Sequence, residues 1–149
     1  MSGLKKILRN TNMHLGITGT RKGLTEAQFD QLKEFIIEID EVTHLHEGDC
    51  IGVDQQITIM FQDLRPDVRV ICHPPIRIGT KAFGAYDETR EPKGYISRDK
   101  DIVDESQYLW ACPDGPERVR SGTWTTVRYA RKQGLLICII YPDGEVEYE

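Results

Sequence analysis

The sequence predicts an α/β fold, a three-layer sandwich around a mainly parallel sheet with a short C-terminal edge strand. Short aliphatic runs such as Val68–Cys72 and Leu135–Tyr141 have the continuous apolar character of strands covered on both faces. Between such runs lie stretches with helical spacing, of which Phe29, Leu32, Phe35, Ile36 and Ile39 form the clearest. The two kinds alternate with short connections, as right-handed βαβ units require.

Taken in order, residues 1–12 carry Lys5, Lys6 and Arg9 among a few apolar side chains and read as an N-terminal extension. Residues 13–149 read as one domain. Met13–Thr18 is a buried strand that runs into the small-residue turn Gly16-Ile17-Thr18-Gly19-Thr20-Arg21. Thr25 with Gln28 three residues on forms a capping box, so a helix begins there. Glu41–Leu45 is a short second strand, and the glycine-punctuated turn His46–Asp54 leads into a helix over Val53–Leu64. Val68–Cys72 is the third strand. The span 76–95 has no clean period, contains Gly79, Gly84, Gly94 and Pro92, and reads as a long loop, either a lid or disordered. A short helix over Arg98–Glu105, a strand over Tyr108–Cys112, and a helix opened by Ser121-Gly122-Thr123 and running to about Lys132 follow. Leu135–Tyr141 is a strand, Pro142-Asp143-Gly144 a turn, and Glu145–Glu149 a charged edge strand.

The chain has 149 residues, 39% hydrophobic and 29% charged, with a formal net charge of -5. That balance belongs to a globular domain of cytoplasmic type and disfavours a general polyanion binder, so DNA is an improbable partner. The apolar residues of 1–12 are too few for a signal peptide or a membrane span. Cys50, Cys72, Cys112 and Cys138 are scattered with no CxxC spacing, which argues against a zinc ribbon or a disulfide framework. Cys50 lies near a helix N-terminus, a position that lowers a thiol pKa. His44 and His46 alternate on one strand face and His73 ends the next strand, but no carboxylate–His spacing accompanies them; no metal and no cofactor are expected.

In parallel sheets the ligand site lies beyond the carboxyl ends of the strands. The first strand supplies Gly19, Thr20 and Arg21 there, the second Gly48, Asp49, Gly52 and Asp54, and the later helix start Ser121, Gly122, Thr123 and Trp124. Glycines allow close backbone approach, helix N-termini bind anions, and the carboxylates can accept from ribose hydroxyls. Arg98 is a further phosphate contact and Trp124 a base-stacking surface. Each has a plainer reading: the glycines as turns, Asp49 and Asp54 as helix caps, Arg98 as an intrahelical ion pair, and Trp124 as core.

The motifs Gly16–Arg21, Gly48–Asp54, Arg98–Asp104 and Ser121–Val127 resemble, in that order, those of the SLOG superfamily of Rossmann-like domains. That group includes the DNA-processing Smf proteins (the DprA type), the LOG cytokinin-activating enzymes and small stand-alone proteins related to bacterial YpsA. The resemblance spans residues 13 to 141. It implies a pocket for a nucleotide or nucleotide-derived molecule, cyclic or ADP-ribose-like forms included, in a sensor, regulator or sequestering protein near bacterial or phage conflict systems. It also implies a homo-oligomer. LOG phosphoribohydrolases carry a glutamate three residues after a Gly-Thr turn; here Thr126 follows Gly122-Thr123 at that spacing and cannot act as a carboxylate. Binding is therefore the expected function. The alternative is hydrolysis of an N-glycosidic bond in a nucleoside 5'-monophosphate, with Asp49, Asp54 or Asp99 replacing the missing glutamate.

Overall fold

The computed structural model describes residues 12–149, so all but the last residue of the expected N-terminal extension lies outside the described residues. One sheet organises them. Its strands are β1 (His14–Gly19), β2 (His44–Glu47), β3 (Arg69–Cys72), β4 (Glu88–Thr89), β5 (Tyr108–Cys112), β6 (Leu136–Ile140) and β7 (Val146–Tyr148), in the spatial order β4-β3-β2-β1-β5-β6-β7. Only β7 runs antiparallel, against β6. The helices are α1 (Glu26–Glu38), α2 (Val53–Leu64), α3 (Tyr95–Asp104) and α4 (Gly122–Gln133). The α/β sandwich with a mainly parallel sheet is thus the observed fold, and no described helix is long and apolar enough to cross a membrane.

The two cores follow from strand alternation. Leu15 and Ile17 of β1, Trp110 and Cys112 of β5 and Cys138 and Ile140 of β6 pack with Leu32 and Ile36 of α1 and Ile57 and Phe61 of α2. The alternate residues Leu109, Ala111, Ile137 and Ile139 pack with Val103 of α3 and Trp124, Val127 and Ala130 of α4. On that second face β1 presents Gly16. A Cβ there would stand 2.9 Å from Ile102 Cγ2 and 3.0 Å from Ser106 Oγ, so glycine lets α3 lie directly on the strand.

The helix ends are encoded locally. Thr25 Oγ1 accepts from Gln28 N–H while Gln28 Oε1 accepts from Thr25 N–H, the capping box as expected. Gln28 is buried, and its amide also donates to the carbonyls of Pro113 and Ile140, tying α1 to the ends of β5 and β6. Ser121 caps α4, and Gly134 ends it in the left-handed conformation with Arg131 and Lys132 in the last turn.

Two expectations need correction. The second strand lies at His44–Glu47 rather than Glu41–Leu45. Its polar residues His46 and Glu47 are fully buried, His46 paired with His73 and Glu47 accepting from Asp49 N–H, which hydropathy cannot anticipate. The span 76–95 is not one loop. It contains β4, both of whose residues are exposed, and the first residue of α3, which starts at Tyr95 rather than Arg98. Backbone bonds from Ile51 N–H to Thr80 O and from Ala82 N–H to Asp49 O fasten the rest of the span beside the end of β2.

Candidate functional site

From β1 the chain moves outward to β2 and β3; it then returns across the sheet to β5 on the other side of β1. That reversal opens a crevice at the carboxyl ends of β1 and β5. A cavity of about 270 Å³ fills it, walled by Thr18 and Gly19 at the end of β1, Arg21 after it, Cys50 before α2 and Asp54 in its first turn, Tyr95, Arg98 and Asp99 of α3, and Gly122 and Thr123 of α4. A second cavity of about 140 Å³ shares Tyr95, Asp99 and Gly122 and extends between α3 and α4 to Thr126 and Tyr129. A groove of about 290 Å³ near α1, lined by Phe35, Trp110 and Tyr148, has no convergent donors.

Arg98 forms the floor. It is 5% exposed, and its Nη1 donates to Gly48 O at 2.6 Å and to His73 O at 3.2 Å, while Nε donates to Asp99 Oδ1 at 2.6 Å. Burial works against its charge, but the carboxylates of Asp99 and Asp54 outweigh it and hold the guanidinium firmly protonated. Gly48 has no room for a side chain here, since its Cβ would lie 2.3 Å from Arg98 Nη1. Asp54 accepts from Gly48 N–H at 3.0 Å; burial raises its carboxyl to about 6 despite the attraction of Arg98. Asp99 is raised as well, by burial and against Arg98. Its Oδ2 accepts from Thr126 Oγ1 at 3.3 Å.

The mouth carries Arg21 and backbone donors with no partner among the described residues. Ser121 Oγ accepts Trp124 N–H and Ser121 O accepts Thr125 N–H, which leaves the N–H groups of Gly122 and Thr123 at the cavity wall. Arg21 is exposed, with its guanidinium carbon 4.9 Å from the centroid of the Tyr95 ring; Arg98 lies against the same ring at 5.5 Å.

Of the sequence-derived site residues, Gly19, Arg21, Asp54, Arg98, Asp99, Gly122 and Thr123 meet at this cavity. The others stand behind it. Thr20 turns its hydroxyl to Lys22 N–H, and Ser121 acts as the α4 cap. Gly52, at φ +91, is where the turn after β1 docks: its Cβ would lie 2.6 Å from the carbonyls of Thr20 and Arg21. Asp49 points away from the cavity and accepts from Tyr86 Oη and Gly84 N–H, so it anchors the span after β3. Trp124 is 1% exposed inside the second core and is not a stacking surface. Cys50 is buried, and burial raises its thiol rather than lowering it. Tyr95 was hidden by the irregular composition of 76–95. Its spacing of three and four residues from Arg98 and Asp99 was the available signal, because those positions share a helix face.

No protein-family model matches the chain, and no curated protein matches it. Solved structures share its fold. A molybdenum cofactor binding protein from the phototrophic bacterium Rippkaea orientalis superposes with a TM-score of 0.65 at 19% identity, covering 88% of this chain and 77% of that one. DNA processing protein A from Helicobacter pylori, whose structure concerns its single-stranded DNA binding mode, superposes with a TM-score of 0.57 at 14% identity, covering 89% and 67%. Both likenesses are at the level of the fold, a Rossmann-like α/β sandwich.

Proposed function

We propose that the cavity between β1 and α4 binds a phosphorylated, nucleotide-derived small molecule, and that the protein acts as its sensor, regulator or sequestering agent. One observation carries this reading: the unclaimed N–H groups of Gly122 and Thr123 and the guanidinium of Arg21 border the same cavity. An anion there meets the positive end of α4 and a charged fork together. Tyr95 offers an aromatic face, and the adjoining cavity has space for a sugar or base. The binding of a molybdenum cofactor by one structural neighbour and of single-stranded DNA by another supports a ligand-binding role for this fold. By the same family resemblance the chain assembles as a homo-oligomer; Ile76, Ile78 and Phe83, exposed on the segment after β3, offer apolar surface for it.

A second reading is hydrolysis of an N-glycosidic bond. The proximity of Asp99 Oδ2 to Thr126 Oγ1 favours it, since α3 then supplies a carboxyl beside the position where LOG enzymes carry glutamate. A carboxyl raised by burial holds its proton to higher pH and can give it to a departing base while water attacks the sugar carbon.

The test is a panel of nucleoside monophosphates, cyclic nucleotides and ADP-ribose, followed by thermal shift and by chromatography for free base. Binding without turnover predicts a thermal shift with no base released and an affinity about tenfold weaker in Arg21→Ala, the loss of one charge-assisted contact of roughly 1.5 kcal/mol. Base release abolished by Asp99→Asn identifies the hydrolase instead. Absence of any shift across the panel overturns both.

A further inference from the structure

All four histidines of the chain lie outside the cleft and form one row across the sheet. His14 on β1 and His44 on β2 are register partners with rings stacked at 4.2 Å. His46, two residues along β2, reaches His14 Nδ1 with Nε2 at 2.6 Å and His73 Nε2 with Nδ1 at 2.8 Å. Glu105, at the end of α3, brings Oε2 to 3.8 Å from His73 Nε2. One ligand atom from each of His46, His73 and Glu105 lies within 4.8 Å of the others.

We propose that His46, His73 and Glu105 bind a divalent transition-metal ion of the zinc class. Two imidazoles and one carboxylate are a donor set zinc accepts, with further positions left to water. Both imidazoles are held by the fold: His46 is 0% exposed on an interior strand, and His73, 2% exposed, immediately follows β3. Outer partners orient the set. His14 engages the distal nitrogen of His46, and Arg90 Nη2 donates to Glu105 Oε1 at 2.7 Å. Such partners fix tautomer and rotamer in metal sites. Glu105 is 34% exposed at the side chain and provides the entrance. The positive charge of Arg90 is offset by Glu105 itself and by Glu88 at 3.7 Å. The ion replaces the hydrogen bond between His46 and His73. Two nitrogens on a tetrahedral ion at ~2.0–2.1 Å stand about 3.3 Å apart, so the rings must separate by roughly half an ångström. Arg98 holds His73 through its carbonyl, not its ring, so that adjustment does not break the Arg98 contact. The site does not depend on what the cleft binds.

The test titrates tag-free, full-length protein with Co²⁺, read by visible absorption, and then displaces it with Zn²⁺. The expected result is one ion per chain with the absorption of a four- or five-coordinate nitrogen–oxygen site. Glu105→Gln and His73→Gln should each weaken binding by about tenfold or more. Glu105→Gln is the deciding variant if His73→Gln folds poorly, because the side chain is partly exposed and the amide preserves its shape. His44→Gln, outside the ligand set, should leave the affinity within about twofold. No saturable binding, or binding unchanged in Glu105→Gln, overturns the proposal and leaves the row as a hydrogen-bonded strip between sheet and helix.

Discussion

Asp54 shows how one buried carboxyl sets both chemistry and stability. It is 7% exposed, accepts from Gly48 N–H and sits near Arg98, yet burial outweighs that attraction and its pKa rises to about 6. The folded state therefore keeps this proton to higher pH than the unfolded chain does. The stability it contributes is fully present below the unfolded chain's value of 3.8 and is lost as pH rises through about 6. A shift of that size corresponds to about 3 kcal/mol across the window. Asp54→Asn removes the titration while the amide oxygen still accepts from Gly48. Denaturant unfolding from pH 4 to pH 7.5 should show the variant gaining stability relative to the parent as pH increases. A difference that is flat, or that falls with pH, would mean that Arg98 keeps Asp54 charged throughout. The same scale explains the residues that sequence misplaced. Asp49 and Trp124 stand in the right motifs, but the side of the backbone on which a side chain leaves is fixed by neighbours distant in sequence, Tyr86 for one and the second core for the other.

At the scale of elements, the site depends on how closely the turn after β1 meets the start of α2. Val53 N–H donates to Thr20 O at 3.1 Å, and Gly52 at φ +91 packs its Cα under the Thr20 and Arg21 carbonyls. Both the left-handed conformation and the 2.6 Å approach exclude a Cβ, and the obstructing atoms are backbone. Gly52→Ala should thus cost roughly 1–3 kcal/mol in conformational strain alone. It should also move Arg21 and weaken phosphate binding. Gly79→Ala, where a Cβ meets nothing within 4 Å, is the control and should stay within about 0.5 kcal/mol of the parent. Unfolding midpoints and ligand affinity measured on the same two variants check both parts. The elements that bear on this junction were largely readable: α2 was expected over Val53–Leu64 as observed, and β5 over Tyr108–Cys112. Apolar periodicity marks such elements because both are buried. It fails for β4, whose two residues are exposed, and for β2, whose buried His46 and Glu47 are polar and satisfied by His73, just after β3, and by Thr58 of α2.

At the scale of the whole molecule, the sheet order gathers three sequence-distant turns at one crevice, while the net charge decides what that crevice can hold. Strand order is set by which faces need covering and is not encoded in any local window, so only the shared rim of the turns was legible beforehand. With a formal charge of -5, the molecule as a whole repels a polyanion. Several other cations are already paired: Lys22 and Arg118 with Asp114, Arg90 with Glu105 and Lys93 with Asp101. A single strand of DNA tracking across this face would meet few cations at the two cavities beyond Arg21, Arg98 and Lys100. The affinity for a single-stranded decamer should therefore not exceed that for a 5'-mononucleotide by more than its number of equivalent ends. Its salt dependence should match one or two phosphate contacts, with log K falling against log salt by about 0.7 for each. Fluorescence anisotropy over a range of salt concentrations measures both quantities. A slope of three contacts or more, with affinity growing as the strand lengthens, would make the cleft part of a nucleic-acid groove and displace the small-molecule reading.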